Sequence, residues 1–465
     1  MADPYTSLAS YLESTTESSP PTSTALQPYI SAFLALGSPQ PGSLTAIWPG
    51  ISKVLQFRSL QSETAAVLVD EVIEPIVTAG TLSWSEIEAV VGSGAEALIE
   101  TVRAAGAQDK IRQAAVAFLS CYVFPDHISP AEDSILSSVV GFLANEKLSE
   151  GVISRVEKTI DKFLTAFPLV RASVIRYASS IKDKFSTSAI VSSRVQGLVL
   201  IILQHSTNGV DDVPENLILF DVASEDILAE LVTIQFYESL LDLFLPPSIF
   251  HKTKSAYTQI AEIYCSSSAL GLERGAAARA LGRLAQSRLE VFTQLDSEFG
   301  IVRNLAVRDE TDQTLLSLIP GDYLAQHNPS IIRTLTIYSA SLIEVTCNCI
   351  RSSKARSLMQ VNSQNLMRLP VPELLRVCKE LAQSVDGAQV LVEMPGVMEV
   401  VLSKVDKTGY ELLRLRGDVI DALSEFSNDQ IGAYWAGRIR EASLRGVWGT
   451  NETDVPSVDV MDSTS

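Results

Sequence analysis

Cysteine and histidine are the residue types in this chain that could bind a metal or act as nucleophiles, and their spacing favours neither role. Cys347 and Cys349 lie two positions apart in a helical pattern, so their thiols point to different faces. A zinc site needs about four convergent ligands, and the nearest histidine in sequence is His327. We therefore predict core or surface thiols here and no metal site.

The other patterns that could carry catalysis are incomplete. Gly92-Ser93-Gly94 precedes a helical pattern, but a phosphate-binding loop needs a preceding strand and a Gly-Lys-Ser/Thr ending. No Gly-x-Ser-x-Gly or His-Glu-x-x-His signature occurs, and the four histidines share no motif with carboxylates or cysteines. We predict that the chain is not an enzyme and needs no cofactor, so its function would be binding.

Charge and composition narrow the kinds of partner. The 465 residues include 36 basic and 55 acidic side chains, for a formal net charge of −19. Such a chain repels phosphate backbones, which disfavours direct nucleic-acid binding and favours a basic protein partner. The five scattered cysteines, an N-terminus without a signal-peptide pattern and the absence of a long apolar run predict a protein of the cytoplasm, with the nucleus as a second compartment.

The elements that must position a binding surface are helices. From Ser23 onward, apolar residues recur at helical steps, and short connections carry Gly, Pro, Asn or Asp. Leu198–Leu203 is the one run that could equally be a strand. Helices joined by short turns are typical of stacked helical pairs, and a period near 40 residues would give about eleven pairs. We predict an all-α fold of the HEAT/armadillo type, a curved solenoid of degenerate repeats.

The clearest single element lies between Ser224 and Phe250. Ser224 is predicted as its N-cap, and Pro246-Pro247 ends the pattern because proline cannot continue the helical hydrogen bonds. We predict that its apolar residues form one buried face. Those residues are Ile227, Leu228, Leu231, Ile234, Leu240 and Leu241.

Two further helices have clear sequence signals. In the HEAT-like unit from Leu272 to Leu284, the small residues Gly275, Ala278 and Gly282 would let a neighbouring helix approach closely. Further along, Asn328-Pro329 is predicted to start a helix that runs to about residue 350, with asparagine as N-cap and proline at the first helical position.

We divide the chain into three segments. Residues 1–22 are rich in Ser, Thr and Pro and are predicted to be a flexible N-terminal segment with a short helix near Tyr5–Leu12. Residues 23–449 would form the helical-repeat solenoid. Residues 450–465 contain four acidic residues and no Lys or Arg, so we expect a disordered acidic tail.

The C-terminal quarter carries the most distinctive motifs. Pro395-Gly396-Val397 opens a short helix, Tyr410-Glu411-Leu412 lies on the next, and the final helix YWAGRIREASLRGVWG (434–449) precedes the acidic tail. These motifs resemble the end of the 26S proteasome non-ATPase regulatory subunit 5 family, which includes a fungal relative with a DNA mismatch-repair name. The helix start Glu225-Asp226-x-Leu228 is similar to a mid-chain repeat of that family, whereas Gly409 stands where the family has a lysine.

The resemblance implies a chaperone for assembly of the regulatory particle base of the 26S proteasome. Members of that family are helical-repeat solenoids that bind the C-terminal domain of one AAA-ATPase subunit. They hold an ATPase subcomplex with its scaffold subunit and are absent from the mature proteasome. We therefore expect these proteasomal subunits as partners, with neither nucleic acid nor membrane bound, and a monomeric chain.

Charged residues on the central helices are our candidates for partner contacts. An ordinary solvated face is the alternative interpretation for each of them, and for a second set near the C-terminus. The basic cluster Arg351, Lys354 and Arg356 is interpreted as a solvated helix end, or else as a docking rim or a nuclear-localisation patch. The candidates are Glu230, Glu238, Asp242, Arg279 and Arg283, and the second set is Arg438 and Arg440.

Two other functions stay open at this point. A different helical-repeat adaptor, in transport or signalling, would bind another client and ignore proteasomal ATPases. A factor linked to DNA repair would be indicated by salt-sensitive binding to duplex DNA.

Overall fold

The structure is a computed structural model that describes residues 4–35, 43–57, 59–78, 84–91, 94–104, 107–185, 188–205, 213–224, 226–243, 245–335, 342–359, 361–403 and 410–445. The helices up to residue 218 are α1 (Pro4–Ser14), α2 (Ser23–Leu34), α3 (Ser43–Leu55), α4 (Ser62–Val67), α5 (Glu74–Thr78), α6 (Trp84–Val91), α7 (Ala95–Arg103), α8 (Asp109–Leu119), α9 (Pro130–Gly141), α10 (Glu150–Ala166), α11 (Arg171–Lys184), α12 (Ala189–Gln204) and α13 (Glu215–Ile218).

The remaining α-helices are α14 (Ile227–Leu240), α15 (Pro247–Lys252), α16 (Lys254–Cys265), α17 (Gly271–Ser287), α18 (Leu289–Phe299), α19 (Glu310–Leu316), α20 (Gly321–His327), α21 (Pro329–Thr334), α22 (Ile343–Arg351), α23 (Ser353–Met359), α24 (Ser363–Leu366), α25 (Val371–Leu381), α26 (Val385–Val392), α27 (Pro395–Leu402), α28 (Tyr410–Ser424), α29 (Asn428–Ile431) and α30 (Ala433–Leu444). A π-helical turn at Leu68–Ile73 joins α4 to α5, and 3₁₀ turns lie at Phe142–Ala144, Pro168–Val170 and Val302–Asn304.

The described residues form no strand, apart from an isolated bridge between Thr16 and Ser19. The prediction of an all-α helical-repeat fold is therefore confirmed, and Leu198–Leu203 lies inside α12. In the part of the chain that the structure describes, we find no helix with both the length and the apolar character needed to span a bilayer.

The helices fall into two compact units. Unit 1 comprises Met1–Asp221 and Leu243–Thr253, and unit 2 comprises Val222–Asp242 and Lys254–Ser465. Helix α15 thus belongs to unit 1, although α14 before it and α16 after it belong to unit 2.

Unit 1 consists of two layers of helices. Helices α8, α10 and α12 pack side by side in one layer, and α7, α9 and α11 in the other. The helices of the first layer begin at Asp109, Glu150 and Ala189, which are 41 and 39 residues apart. This spacing agrees with the predicted period near 40 residues, because helices that stack side by side in a repeat protein occupy equivalent positions of successive repeats.

The first 22 residues contain a packed helix. Helix α1 buries Tyr5, Leu8 and Leu12 and packs on α3. The boundaries that we placed at residues 22 and 450 stay predictions, and the acidic tail 450–465 lies outside the described residues.

Unit 2 repeats the same plan. Helices α14, α17, α19, α22, α25 and α28 each contact the next and form one layer. Contacts of α16 with α18, of α20 with α23 and of α26 with α29 belong to the other layer. Side chains that point away from the second layer on neighbouring helices of the first are therefore brought close together, which is how this unit builds a surface.

Helix α17 is surrounded by other helices of unit 2 and needs small residues. It contacts α14, α16, α18 and α19, so most of its circumference is buried, including Ala278 and Gly282. A Cβ at Gly282 would lie 2.5 Å from the Cβ of Leu318, whereas a Cβ at Gly275 would meet nothing within 4 Å. The predicted close approach is confirmed at Gly282 and wrong at Gly275.

Helix α14 differs from its predicted form in its start and its buried face. The Asp226 carboxylate, not Ser224, is the N-cap and accepts the Leu228 backbone N–H at 2.9 Å. Ser224 instead uses its hydroxyl oxygen to accept the Asp226 N–H at 3.1 Å. Leu228 is 72% exposed, so the predicted buried face is wrong at its first turn. The buried residues are Glu230, Thr233, Ile234, Phe236, Tyr237 and Leu240.

Candidate partner-binding face

An open groove of about 470 Å³ lies between helices α14 and α17. Glu238 and Arg279 face each other across it, as do Asp242 and Arg283. In both pairs the residue numbers differ by 41, so the two helices run in the same direction and present equivalent positions of successive repeats. The groove is lined by Leu231, Gln235, Glu238, Ser239, Asp242, Leu272, Ala276 and Arg279.

Four of the residues that we predicted as partner contacts lie close together at the charged end of the groove. The Glu238 carboxylate lies 3.9 Å from the Nε atoms of both Arg279 and Arg283. Asp242 lies 3.5 Å from Nη1 of Arg283. These separations are ion pairs longer than ordinary hydrogen bonds, and apart from Glu238 the side chains are exposed. Such pairs contribute at most about 1 kcal/mol each to folding stability, so the groups can exchange their partners for those of a bound protein.

Glu230 occupies a different environment from the other acidic candidates. It is 8% exposed, lies on the buried side of α14 and does not line the groove. Within the described residues its Oε1 has no hydrogen-bond partner. Burial and, after it, the negative charge of Glu273 raise the pKa of Glu230, whereas the Ser224 backbone N–H acts in the opposite direction.

The C-terminal candidates connect helices within unit 2. The Arg438 guanidinium is paired with the Glu399 carboxylate of α27, with 3.1 Å between Nη2 and Oε2, and it lies 5.7 Å from the ring centre of Trp435. Arg440 donates from Nη2 to Oδ1 of Asn428 at 2.8 Å. Neither arginine lines the α14–α17 groove.

A second charged groove, of about 280 Å³, was missed from the sequence. It lies along α22 and α25, where Arg376 pairs with Glu344 and Arg351 pairs with Glu380, each at 2.6 Å. Unlike the ion pairs of the first groove, these are short, charge-assisted hydrogen bonds. Opposite charges about 30 residues apart, on helices that are neighbours in the layer, were the available signal. This signal can be recognised only when the repeat boundaries are known.

The residues that could support metal or thiol chemistry have structural positions. In the described ranges no group of three or more His, Cys, Asp or Glu side chains could hold a metal ion. Cys347, Cys349 and Cys378 are buried, and burial raises the pKa of each thiol to about 12. Gly94 directly precedes α7, whereas Gly92 and Ser93 lie outside the described residues.

Stacked helices with open, charged grooves between successive repeats define this chain as an all-α helical-repeat protein. Residues 248–465 match the family model described as "DNA mismatch repair protein HSM3, C terminal domain". No curated protein matches the chain. The crystal structure of an engineered protein is similar at 14% identity, over 91% of this chain and 100% of that one. Its TM-score is 0.33, so this likeness carries no weight for fold or function.

Proposed function

We propose that this chain is a member of the family whose C-terminal model it matches and that it acts as a chaperone in assembly of the regulatory particle base of the 26S proteasome. The match over residues 248–465 carries the proposal. The motifs at Pro395-Gly396-Val397 and Tyr410-Glu411-Leu412, which resemble the proteasome subunit 5 family, support it. The role is binding without catalysis or cofactor, in the cytoplasm, and the partners are an AAA-ATPase subunit and its scaffold subunit.

The α14–α17 groove is the proposed docking face for the C-terminal domain of the ATPase. Its charged residues are loosely paired and, apart from Glu238, exposed, so a partner can replace the internal ion pairs with its own at little cost. Leu272 adds an exposed apolar side chain at the other end of the groove. Apolar and charged side chains next to each other are common in protein–protein interfaces.

A DNA-repair-linked role is the second candidate, because the matched family model carries a mismatch-repair name. The net charge of −19 disfavours direct contact with DNA. If the chain has this role, it acts through protein partners, as would a transport or signalling adaptor built on the same repeats.

Affinity purification from native cell extract, followed by mass spectrometry, tests the proposed function. We expect base ATPases and their scaffold subunit to co-purify, and core-particle subunits to be absent. Recovery of repair, transport or signalling proteins without proteasomal subunits would overturn the proposal.

A charge swap tests the docking face. Glu238→Arg with Asp242→Arg reverses one side of the groove, and we expect binding of the ATPase domain to weaken at least tenfold. Adding Arg279→Glu and Arg283→Glu restores the internal ion pairs but presents the opposite charge pattern. If this fourfold variant keeps the wild-type melting temperature and also the wild-type affinity, the groove is not the docking face. Glu290→Arg with Glu310→Arg, at exposed positions on α18 and α19, is the matched control for net charge.

A further inference from the structure

The first turn of α14 holds a carboxylate that the folded chain does not fully satisfy. Glu230 is more than nine-tenths buried, and its Oε1 finds no hydrogen-bond partner among the described residues. A buried carboxylate oxygen without a partner costs free energy, because it has lost its water and gained nothing in exchange. A residue that costs stability in the free protein is a candidate for binding a partner.

A second carboxylate makes this environment more unfavourable. Glu273, in the first turn of α17, is close enough to raise the pKa of Glu230 by charge repulsion. One Glu273 oxygen accepts the Leu270 backbone N–H at 2.7 Å. In the described part of the chain, neither glutamate forms an ion pair with a Lys or Arg of its own, whereas the other charged residues around the groove do. The two helix starts therefore concentrate negative charge without a cation.

Exposed large apolar side chains also occur in the first turns of these two helices. Leu228 on α14 is 72% exposed, and Leu270 and Leu272, at the start of α17, are 54% and 75% exposed. Ile227 is also exposed. Exposed leucines are unremarkable one at a time, but Leu270 and Leu272 lie within three residues of Glu273, so the start of α17 combines apolar surface with negative charge.

We infer that these two helix starts receive a basic side chain of the partner, with its charged group at Glu230 and Glu273 and its aliphatic stem on Leu270 and Leu272. A lysine or arginine matches both halves of the surface, because its methylene groups pack on apolar atoms while its head supplies the missing donors. The inference rests on the proposed function, since the partner is the ATPase domain assigned to the adjoining groove.

A purely structural role of Glu230 leads to different measurements. If the residue served only to accept the Ser224 backbone N–H, Glu230→Gln would preserve that bond and leave partner binding unchanged. If Glu230 binds a basic group of the partner, the same substitution removes a desolvated negative charge and its repulsion with Glu273. The free protein then becomes more stable while the complex becomes weaker, and this opposition of signs identifies a binding residue.

The experiment compares wild type, Glu230→Gln and Glu290→Gln. Glu290 is an exposed residue in the first turn of α18 and controls for the loss of one negative charge at a helix start. Melting temperature is measured on the full chain, and affinity for the purified C-terminal domain of the ATPase is measured at fixed ionic strength. We expect Glu230→Gln to melt higher than wild type and to bind roughly tenfold more weakly. We expect Glu290→Gln to bind as wild type does.

The possible outcomes distinguish a failure of this inference from a failure of the proposed function. If wild type binds the domain and Glu230→Gln binds equally well, the inference is overturned and the proposed function stands. If wild type does not bind the domain, the proposed function is overturned and the inference falls with it. Alanine substitution of the lysines and arginines of the domain, one at a time, must also reveal one whose effect disappears in the Glu230→Gln background. Independent effects for every one of them would contradict a direct contact.

Discussion

Leu318 occupies the space that a side chain at Gly282 would need. A Cβ at Gly282 would lie 2.5 Å from the Leu318 Cβ and 2.6 Å from its Cδ1. Because the Cβ is fixed to the backbone, the clash cannot be relieved by a rotamer change alone, so α17 and the residues after α19 would have to move apart. The missing side chain at this position therefore sets how closely successive repeats of unit 2 pack.

Gly282→Ala should destabilise the chain, and Gly275→Ala on the same helix should stabilise it. We expect a loss of about 1–3 kcal/mol in the free energy of unfolding at Gly282, because overpacking forces backbone shifts. At Gly275, where a Cβ meets open space, we expect a gain of about 0.5–1 kcal/mol because alanine favours the helix. Urea denaturation measures both. Equal effects of the two substitutions would mean that helix propensity, and not packing, determines how alanine at these positions changes stability.

Arg356 should be a structural residue and Arg351 a dispensable one, although both belong to the same basic cluster. Arg356 is 6% exposed and donates to the Ile350 carbonyl at 2.9 Å and to Asp386 at 3.0 Å. We expect Arg356→Met to cost about 1–3 kcal/mol, since it leaves the buried Ile350 carbonyl without this donor. Arg351→Gln should cost less, about 1 kcal/mol, because Arg351 itself is mostly exposed, although its partner Glu380 is largely buried. Thermal melting that ranks the two in the opposite order would contradict this assignment.

Asp312 should be essential to the fold of unit 2. It is 3% exposed, and its carboxylate accepts the Tyr264 hydroxyl at 2.6 Å, Arg274 Nη2 at 2.7 Å and the Ala306 N–H at 2.8 Å. Asp312→Asn places an amide donor against groups that are themselves donors, so we expect a loss of about 2–4 kcal/mol. Tyr264→Phe removes one donor and should cost about 1 kcal/mol. Chemical denaturation measures both losses. An Asp312→Asn variant with the same free energy of unfolding as wild type would refute the structural role of Asp312.

The start of a helix could be predicted from the sequence where capping residues mark it. Asn328 accepts the Ile331 N–H at 3.2 Å, and α21 begins at Pro329, as the Asn-Pro pair indicated. The predicted end near residue 350 was wrong, because α21 ends at Thr334 and α22 begins at Ile343. No Gly or Pro lies between those two residues, so neither of the usual helix-breaking residues marks this boundary in the sequence.

The buried side of α14 could not be predicted, because apolar residues nearly encircle its first two turns. Periodicity counts apolar positions, but it cannot say on which side the neighbouring helix will lie. The same limit explains why the sequence grouped Glu230 with Glu238 and Asp242 as candidates for partner contacts, although Glu230 does not line the groove. Its burial depends on the position of α17, which no pattern within α14 encodes.

Lys182 should make the stability of unit 1 increase with pH in the alkaline range. Its ammonium group donates to the Asn216 and Leu219 carbonyls and lies 3.9 Å from the ring centre of Phe220, and burial lowers its pKa from 10.5 to about 8. Between these two values the unfolded chain binds more protons than the folded chain, so the free energy of unfolding rises with pH. Below about pH 8 both states carry the charge, and the contribution is constant.

The measurement is the free energy of unfolding of wild type and of Lys182→Met at several pH values from 7 to 10. The difference between wild type and variant should move in favour of wild type as the pH rises above about 8. Lys184→Met, on the same helix, is the control and should follow the wild-type curve. Parallel curves for all three proteins would show that Lys182 keeps its ordinary pKa.

The position of α14 in the chain has a practical consequence for dissecting the protein. The segment that matches the family model begins at residue 248, after α14, yet α14 packs on α17 within unit 2. A recombinant fragment that started at residue 248 would lack one wall of the groove and would leave an alanine-rich flank of α17 in water, where self-association is expected. The shortest autonomous fragment that retains the groove must begin before Asp226, so a boundary drawn from sequence similarity would divide the feature it was meant to isolate.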